Sequence, residues 1–254
     1  IVLSGSAEAG KIDSLTQLDK ASVERKLIAV MDQVNDSMSS YYEKSEVSRF
    51  NRLPVKQCMM VSELFADVLT ISQSVYVDTN NAFDITIAPL VELWGFGASE
   101  RHQQVPDEAS VQSAKKLTGM DAFELRDASL CKLREVHIDV AGVAKGYAVD
   151  RVAEAVEAMG VTDYLVEIGG ETRVAGTNAR AKPWVIGLEK PSLLPGGVQQ
   201  ALVLGERAVA TSGSYRNFFS AAGKRYSHIL DPRSGVPVKR DIISLTIVDA
   251  STAR

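Results

Sequence analysis

Residues 136–170, VHIDVAGVAKGYAVDRVAEAVEAMGVTDYLVEIGG, constrain the fold more than any other stretch. Val136 to Val140 alternates apolar and polar residues, as a half-buried strand does, and the alternation breaks at Gly142 and Gly146. From about Val143 the period becomes helical: Val149, Val152, Val156 and Met159 share one face, with Asp150, Arg151, Glu154 and Glu157 mostly on the other. Gly160 is placed to end the helix in a left-handed conformation. Tyr164 to Ile168 then reads as a buried strand running into Gly169-Gly170. Asp139 therefore falls between a strand end and a helix start. Backbone N–H groups favour anions there, and a carboxylate beside free carbonyls can hold a hard cation. A plain helix cap is the blander reading of the same aspartate.

Around this unit the chain reads as one α+β domain, a single large domain over 1–254 with mixed sheets flanked by helices. Helices are expected at about Ser22 to Tyr41, with Leu27, Ile28, Met31, Val34 and Met38 as the apolar stripe, and at about Ser62 to Asp78, with Leu64, Val68 and Ile71. Asp107 to Leu117 suits a short helix with Asp107 as its N-cap. Residues Ser99 to Pro106 read as polar loop. Short strands are expected at Phe123–Leu125, Leu130–Leu133, Thr172–Ala175, Trp184–Leu188, Gln200–Leu204 and Ala208–Thr211. Gly176, Pro191 and Pro195-Gly196-Gly197 punctuate the later ones as turns. Trp94 and Phe96 are read as core or loop anchors.

A formal net charge of −4 and the absence of any basic block argue against nucleic acid as a main partner. No apolar segment approaches the length of a membrane span. Cys58 and Cys131 form no CxxC and join no histidine cluster, which argues against zinc and leaves a single disulfide open. Three polar, glycine-punctuated clusters remain: Asp139 with Gly142, Lys145 and Gly146; Thr211 to Asn217; and Ser227 to Gly235. The second can present hydroxyls, N–H groups and Arg216 to a phosphate. In the third, His228 precedes an Asp-Pro turn, and a lone histidine is more often structural than catalytic. The residues alone lead to an enzyme-like domain with an anion or nucleotide site and a divalent cation within its chemistry.

Six stretches in order resemble the FAD:protein FMN transferase family, ApbE: SEVSRFN (45–51), FDITIAPLVELWGFG (83–97), IDVAGVAKGYAVD (138–150), VEIGG (166–170), TSGSYRN (211–217) and SHILDPRSG (227–235). The resemblance implies a fold related to the T-fold. It also implies a magnesium-dependent enzyme that cleaves FAD and attaches FMN through a phosphoester to a Ser or Thr of an acceptor flavoprotein, releasing AMP. By position, Tyr41, Ala82, Phe83, Asp84, Asp139, Lys145 and Leu230 match flavin-nucleotide contacts. Gly142 matches a carbonyl ligand of Mg2+, and His228 matches a histidine of the transfer step. The implied partner is a membrane redox subunit or another flavoprotein with a Ser/Thr acceptor motif. The implied location is the bacterial periplasm, with a lipid anchor to the inner membrane.

The sequence departs from the family pattern twice. Ser4-Gly5-Ser6 passes straight to Ala7-Glu8-Ala9-Gly10 where relatives carry a Thr-Met-Gly-Thr segment. The family segment whose Asp and Thr complete the metal site would follow Arg254. Both segments are expected to belong to the molecule but to lie outside these 254 residues. An FAD pyrophosphatase yielding FMN and AMP, or a non-catalytic FAD-binding protein, would use the same nucleotide site.

Overall fold

The computed structural model describes residues 1–3, 19–97, 104–192, 196–239 and 241–254. The departure at Ser4–Gly10, most of the loop from Ser99 and the turn position Pro195 lie outside these residues. The strands are β1 (Val2–Leu3), β2 (Cys58–Met60), β3 (Phe123–Arg126), β4 (Ser129–Lys132), β5 (Tyr164–Ile168), β6 (Glu171–Ala175) and β7 (Trp184–Glu189). They continue with β8 (Val198–Leu204), β9 (Arg207–Gly213), β10 (Phe218–Ala221), β11 (Lys224–Ser227), β12 (Leu230–Asp231), β13 (Val236–Pro237) and β14 (Ser244–Asp249). The α-helices are Lys20–Met38, Glu46–Arg52, Glu63–Asp78, Ala88–Leu93, Glu108–Lys115 and Ala141–Ala158. The α+β class is the expected one. Every strand pairing among the described residues is antiparallel, where mixed sheets were expected. The chain divides into two compact units, Ile1–Gln33 with Ala144–Gly213 and Ser244–Arg254, and Val34–Val143 with Ser214–Ile243.

Unit 1 carries a five-stranded sheet in the order β1-β5-β6-β9-β14. The turn between β5 and β6 is Gly169-Gly170, both at positive φ (60° and 98°), as a tight two-residue hairpin demands. The helical stripe of the sequence packs as read: Val149, Val152, Ala153 and Val156 are buried with Leu27, Val161, Tyr164 and Val166. Gly160, at φ 82°, ends that helix. A second core of Val174, Trp184, Leu204 and Val209 lies beside the β7–β8 hairpin, whose Trp184 Nε1 donates to the Ala175 carbonyl at 2.8 Å.

Asp150 closes this unit. Its buried carboxylate accepts the N–H groups of Thr252 (2.9 Å) and Ala253 (3.0 Å) and the Ser251 hydroxyl (2.8 Å), and faces the Arg173 guanidinium at 3.3 Å. The last described residues are thereby held against the helix one turn from Gly146, where a Cβ would overlap the Thr252 carbonyl. Only glycine fits that approach.

Unit 2 holds the three-stranded sheet β2-β4-β3, in which Cys58 and Cys131 are directly paired and disulfide-bonded. Ser45 caps helix Glu46–Arg52 by accepting from Ser48 N at 3.1 Å, Ser62 caps helix Glu63–Asp78, and Asp107 caps Glu108–Lys115. The buried face of Glu63–Asp78 is Phe65, Val68, Leu69 and Ser72, one step round from the expected Leu64–Val68–Ile71 stripe. Trp94 is the expected core anchor: it stacks on Tyr226, lies near Phe219, and donates from Nε1 to the Gly235 carbonyl at 2.9 Å.

Val136 to Val140 is not a strand. The apolar alternation is real, since Val136, Ile138 and Val140 are all buried, but no ladder receives it. Ile138 N–H donates instead to Asn51 Oδ1 (2.8 Å), Ile138 carbonyl accepts from Asn51 Nδ2 (2.9 Å), and Asp139 N–H donates to the Ile85 carbonyl (2.6 Å). Burial alternation alone does not distinguish a ladder from side-chain partners.

Two stability measurements follow from these contacts. The Cys58–Cys131 bond closes a sequence separation of 73 residues, so Cys58→Ser with Cys131→Ser should cost about 4 kcal/mol in urea unfolding. Dithiothreitol should lower the wild type to the variant's midpoint and leave the variant unmoved. Gly146→Ala should cost about 1–3 kcal/mol, as overpacking does, visible as a lowered thermal midpoint.

Candidate functional site

In unit 2 the structure brings together two of the stretches singled out by sequence. Thr79 Oγ1 accepts the Phe83 N–H at 3.1 Å and so fixes the turn carrying Ala82 and Phe83. Asp84 is buried, and its carboxylate accepts both the N–H (2.7 Å) and the hydroxyl (2.6 Å) of Thr86, capping a short 3-10 turn over Ile85–Ile87. Both contacts fall on Oδ1, so one oxygen of the side chain shapes its own turn. Burial raises the Asp84 carboxyl above the usual carboxylate range, against the Thr86 hydrogen bonds.

The Ile85 carbonyl receives the Asp139 N–H, which seats the second stretch on the first. Asp139 Oδ1 turns back to accept the Ala141 N–H at 2.8 Å, the helix-start role that was the plainer reading. Its acidity nevertheless departs from that of a simple cap. Burial pushes the carboxyl up, the Ala141 N–H opposes this, and the charge of Glu92 adds to the rise. Gly142 is exposed, and a Cβ there would stand 3.3 Å from Phe83 Cε2. Phe83, Asp139 and Gly142 therefore share one locality.

His228 lies on another part of unit 2. Its Nδ1 is 3.0 Å from the Asn217 carbonyl, which can only accept, so Nδ1 carries a proton. The His228 N–H donates to the same carbonyl at 3.1 Å, and the Phe96 ring meets the imidazole edge-on at 6.3 Å. Both neighbours come from singled-out stretches, TSGSYRN and FDITIAPLVELWGFG. The phosphate cradle expected over Thr211–Asn217 is strand in its first part: Thr211 to Gly213 belong to β9, and the Thr211 hydroxyl meets that of Thr246 at 2.8 Å. Leu230 is buried with Leu90, Trp94, Val111 and Phe219, so its side chain is core and its main chain is what a ligand could meet. Tyr41 is 82% exposed.

Lys145 belongs to unit 1. Its ammonium pairs with both carboxylate oxygens of Glu171, at 2.8 and 3.0 Å, beside the Gly169 turn of VEIGG. Sequence reasoning missed Asn51 as the partner of Ile138, Glu92 beside Asp139, Glu171 beside Lys145 and the Asn217 carbonyl behind His228. All four lie in or next to the singled-out stretches, which was the one available signal. Among the described residues no group of three or more His, Cys, Asp or Glu side chains converges as a metal cluster.

Comparison with known proteins bears on the family and the fold. Residues 9–254 match the model of the ApbE family. A curated FAD:protein FMN transferase of Vibrio cholerae is 38% identical over 234 residues, 92% of this chain and 70% of that protein. The Escherichia coli K12 protein of the same name is 34% identical over 233 residues, 90% of this chain and 66% of that protein. Among solved structures, the flavin transferase ApbE of Vibrio cholerae superposes with a TM-score of 0.85 at 36% identity, covering 93% of this chain and 75% of the other. The ApbE protein of Thermotoga maritima gives 0.84 at 31% identity, covering 97% and 77%. With the family model matching nearly every residue and the fold shared, this chain belongs to the ApbE family.

Proposed function

We propose that the chain is an FAD:protein FMN transferase. It binds FAD and joins the FMN half through a phosphoester to a Ser or Thr hydroxyl of an acceptor flavoprotein, with AMP as the leaving group. The observation that carries this reading is that the curated relatives matching the chain bear that name. In the reaction the acceptor oxygen bonds to the FMN phosphorus, the bond from that phosphorus to the bridging oxygen breaks, and AMP departs with that oxygen. The acceptor hydroxyl must lose its proton.

His228 is the group suited to take it. Asn217 orients the ring through Nδ1, and a positioned imidazole can remove a proton as the new bond forms. Phe83 offers an aromatic face in the same locality as Asp139 and Gly142, which suits flat flavin rings and a polar phosphate tail.

Asp139 offers a carboxylate and Gly142 a carbonyl, and the Asp139 anion is disfavoured by burial and by the charge of Glu92, which a cation would offset. These features fit magnesium, which takes one or two protein oxygens and fills its shell with phosphate and water oxygens. When bound, the ion would offset phosphate charge as the pyrophosphate bond breaks. The Asp139 carboxylate and the Gly142 carbonyl are the residues that would hold it.

A periplasmic site of action is supported by the Cys58–Cys131 disulfide, a bond that persists in oxidising compartments. Among the described residues no helix is long and apolar enough to cross a membrane.

The direct test is mass spectrometry of a Ser/Thr acceptor peptide incubated with the protein, FAD and magnesium, with AMP followed in parallel. A magnesium-dependent gain of one FMN is expected; AMP without labelling would identify a pyrophosphatase instead. His228→Ala should slow transfer about a hundredfold or more while FAD still binds, and undiminished transfer would remove its role. Asp139→Ala should weaken FAD binding or raise the magnesium needed for half-maximal turnover. Wild-type behaviour on both counts would reduce Asp139 to a helix cap.

A further inference from the structure

Asn51 ends the SEVSRFN stretch, and nothing in the proposed chemistry uses it. Its carboxamide makes both hydrogen bonds that a neighbouring strand would make to Ile138, accepting the N–H at 2.8 Å and donating to the carbonyl at 2.9 Å. Only one orientation of the amide satisfies both contacts, so oxygen and nitrogen are fixed. Ile138 is 1% exposed between buried Val136 and Val140, leaving its peptide groups no solvent to fall back on. Losing the carboxamide would strand a buried donor and a buried acceptor.

Asn51 is itself anchored. It lies in the last turn of helix Glu46–Arg52, and its own carbonyl accepts from Lys132 Nζ at 2.9 Å. Lys132 is fully buried, its ammonium 5.1 Å from the centre of the Phe50 ring, and burial pulls its pKa down. A buried lysine is costly unless paired, and this one donates to a helix-end carbonyl, where a cation is favoured. The contacts run without a gap from Lys132 to Asn51 to Ile138, and the next residue is Asp139, whose N–H is tied to Ile85.

We propose that Asn51 is a positioning residue for the FAD site. Its carboxamide, braced by Lys132, sets the main chain on which Asp139 and the start of helix Ala141–Ala158 stand. The proposal rests on the reading of Asp139 as a flavin-nucleotide contact.

FAD affinity, read by flavin fluorescence with magnesium present, tests it in wild type, Asn51→Ala, Asp139→Ala and the double variant. Val47→Ala serves as a control, since Val47 is buried on the same helix and its apolar side chain makes none of these hydrogen bonds. Asn51→Ala should weaken FAD binding about tenfold or more, while Val47→Ala at a comparable loss of thermal midpoint stays within about twofold. In the Asp139→Ala background, Asn51→Ala should add less than about twofold, because its effect passes through Asp139. Equal affinities in Asn51→Ala and Val47→Ala, or losses that multiply in full in the double variant, would overturn the proposal. If Asn51→Ala does not fold, Asn51→Asp keeps the acceptor for Ile138 N–H and loses only the donor. It should show a smaller loss with the same dependence on Asp139, and wild-type affinity in it would count against the proposal equally. A wild type that binds no FAD would instead sink the functional reading on which the proposal stands.

Discussion

The Asp150 carboxylate receives the N–H groups of Thr252 and Ala253 and the Ser251 hydroxyl, with Arg173 alongside. A buried anion is tolerated only when its oxygens are filled in this way, and each charge-assisted bond is stronger than a neutral one. The consequence reaches beyond the pair. Residues that follow the edge strand β14 are drawn back onto the helix, which forces the close approach that only Gly146 permits. Arg173, held from one side by Asp150, also faces Glu157, whose carboxylate receives the hydroxyl of the buried Tyr164. A charged cluster thus borders the apolar core built by Val149, Val152 and Val156.

Unit 2 solves a different problem. Its locality around Asp139 is assembled from main-chain groups that no sheet satisfies. The Ile85 carbonyl and the Asn51 carboxamide take that part, and the single stretch from Phe83 to Gly97 supplies Phe83, Ile85 and Glu92 near Asp139 and Phe96 beside His228. An irregular backbone leaves room for a ligand where a ladder would have filled the space with another strand. It also demands that each peptide group find a private partner.

Much of this was legible in the residues. The helix stripe from Val149 to Val156, the stop at Gly160, the Gly169-Gly170 hairpin and the Ser62 and Asp107 neighbourhoods depend on local periods and caps, which sequence carries directly. Val136 to Val140 misled because burial on alternate residues is the signature of a strand whatever satisfies its polar groups. Asn51 could not be matched to Ile138, 87 residues away, because a carboxamide in a helix end has no periodic signature. Asp84 shows the converse limit. Its residue type suits a ligand contact, and its Oδ1 also accepts the N–H and hydroxyl of Thr86, two residues on, a local use that sequence allows but does not require. Leu230, singled out by resemblance, is a core residue, buried by its own hydrophobicity.

The discontinuous make-up of unit 1 has a consequence for how the polypeptide is born. Its strand β1 pairs through Val2 and Leu3 with Leu165 and Tyr164, and the block Val34–Val143 of unit 2 intervenes. At ordinary translation speeds the first strand waits on the order of ten seconds for its partner to leave the ribosome. Edge strand β14 emerges later still, and the Asp150 tether to Ser251–Ala253 can close only then. A nascent chain halted before Ser244 would expose the bare edge of β9, the kind of unpaired strand that recruits other chains. For most of its synthesis, then, the first block of unit 2 can mature while unit 1 remains an open sheet in need of shelter.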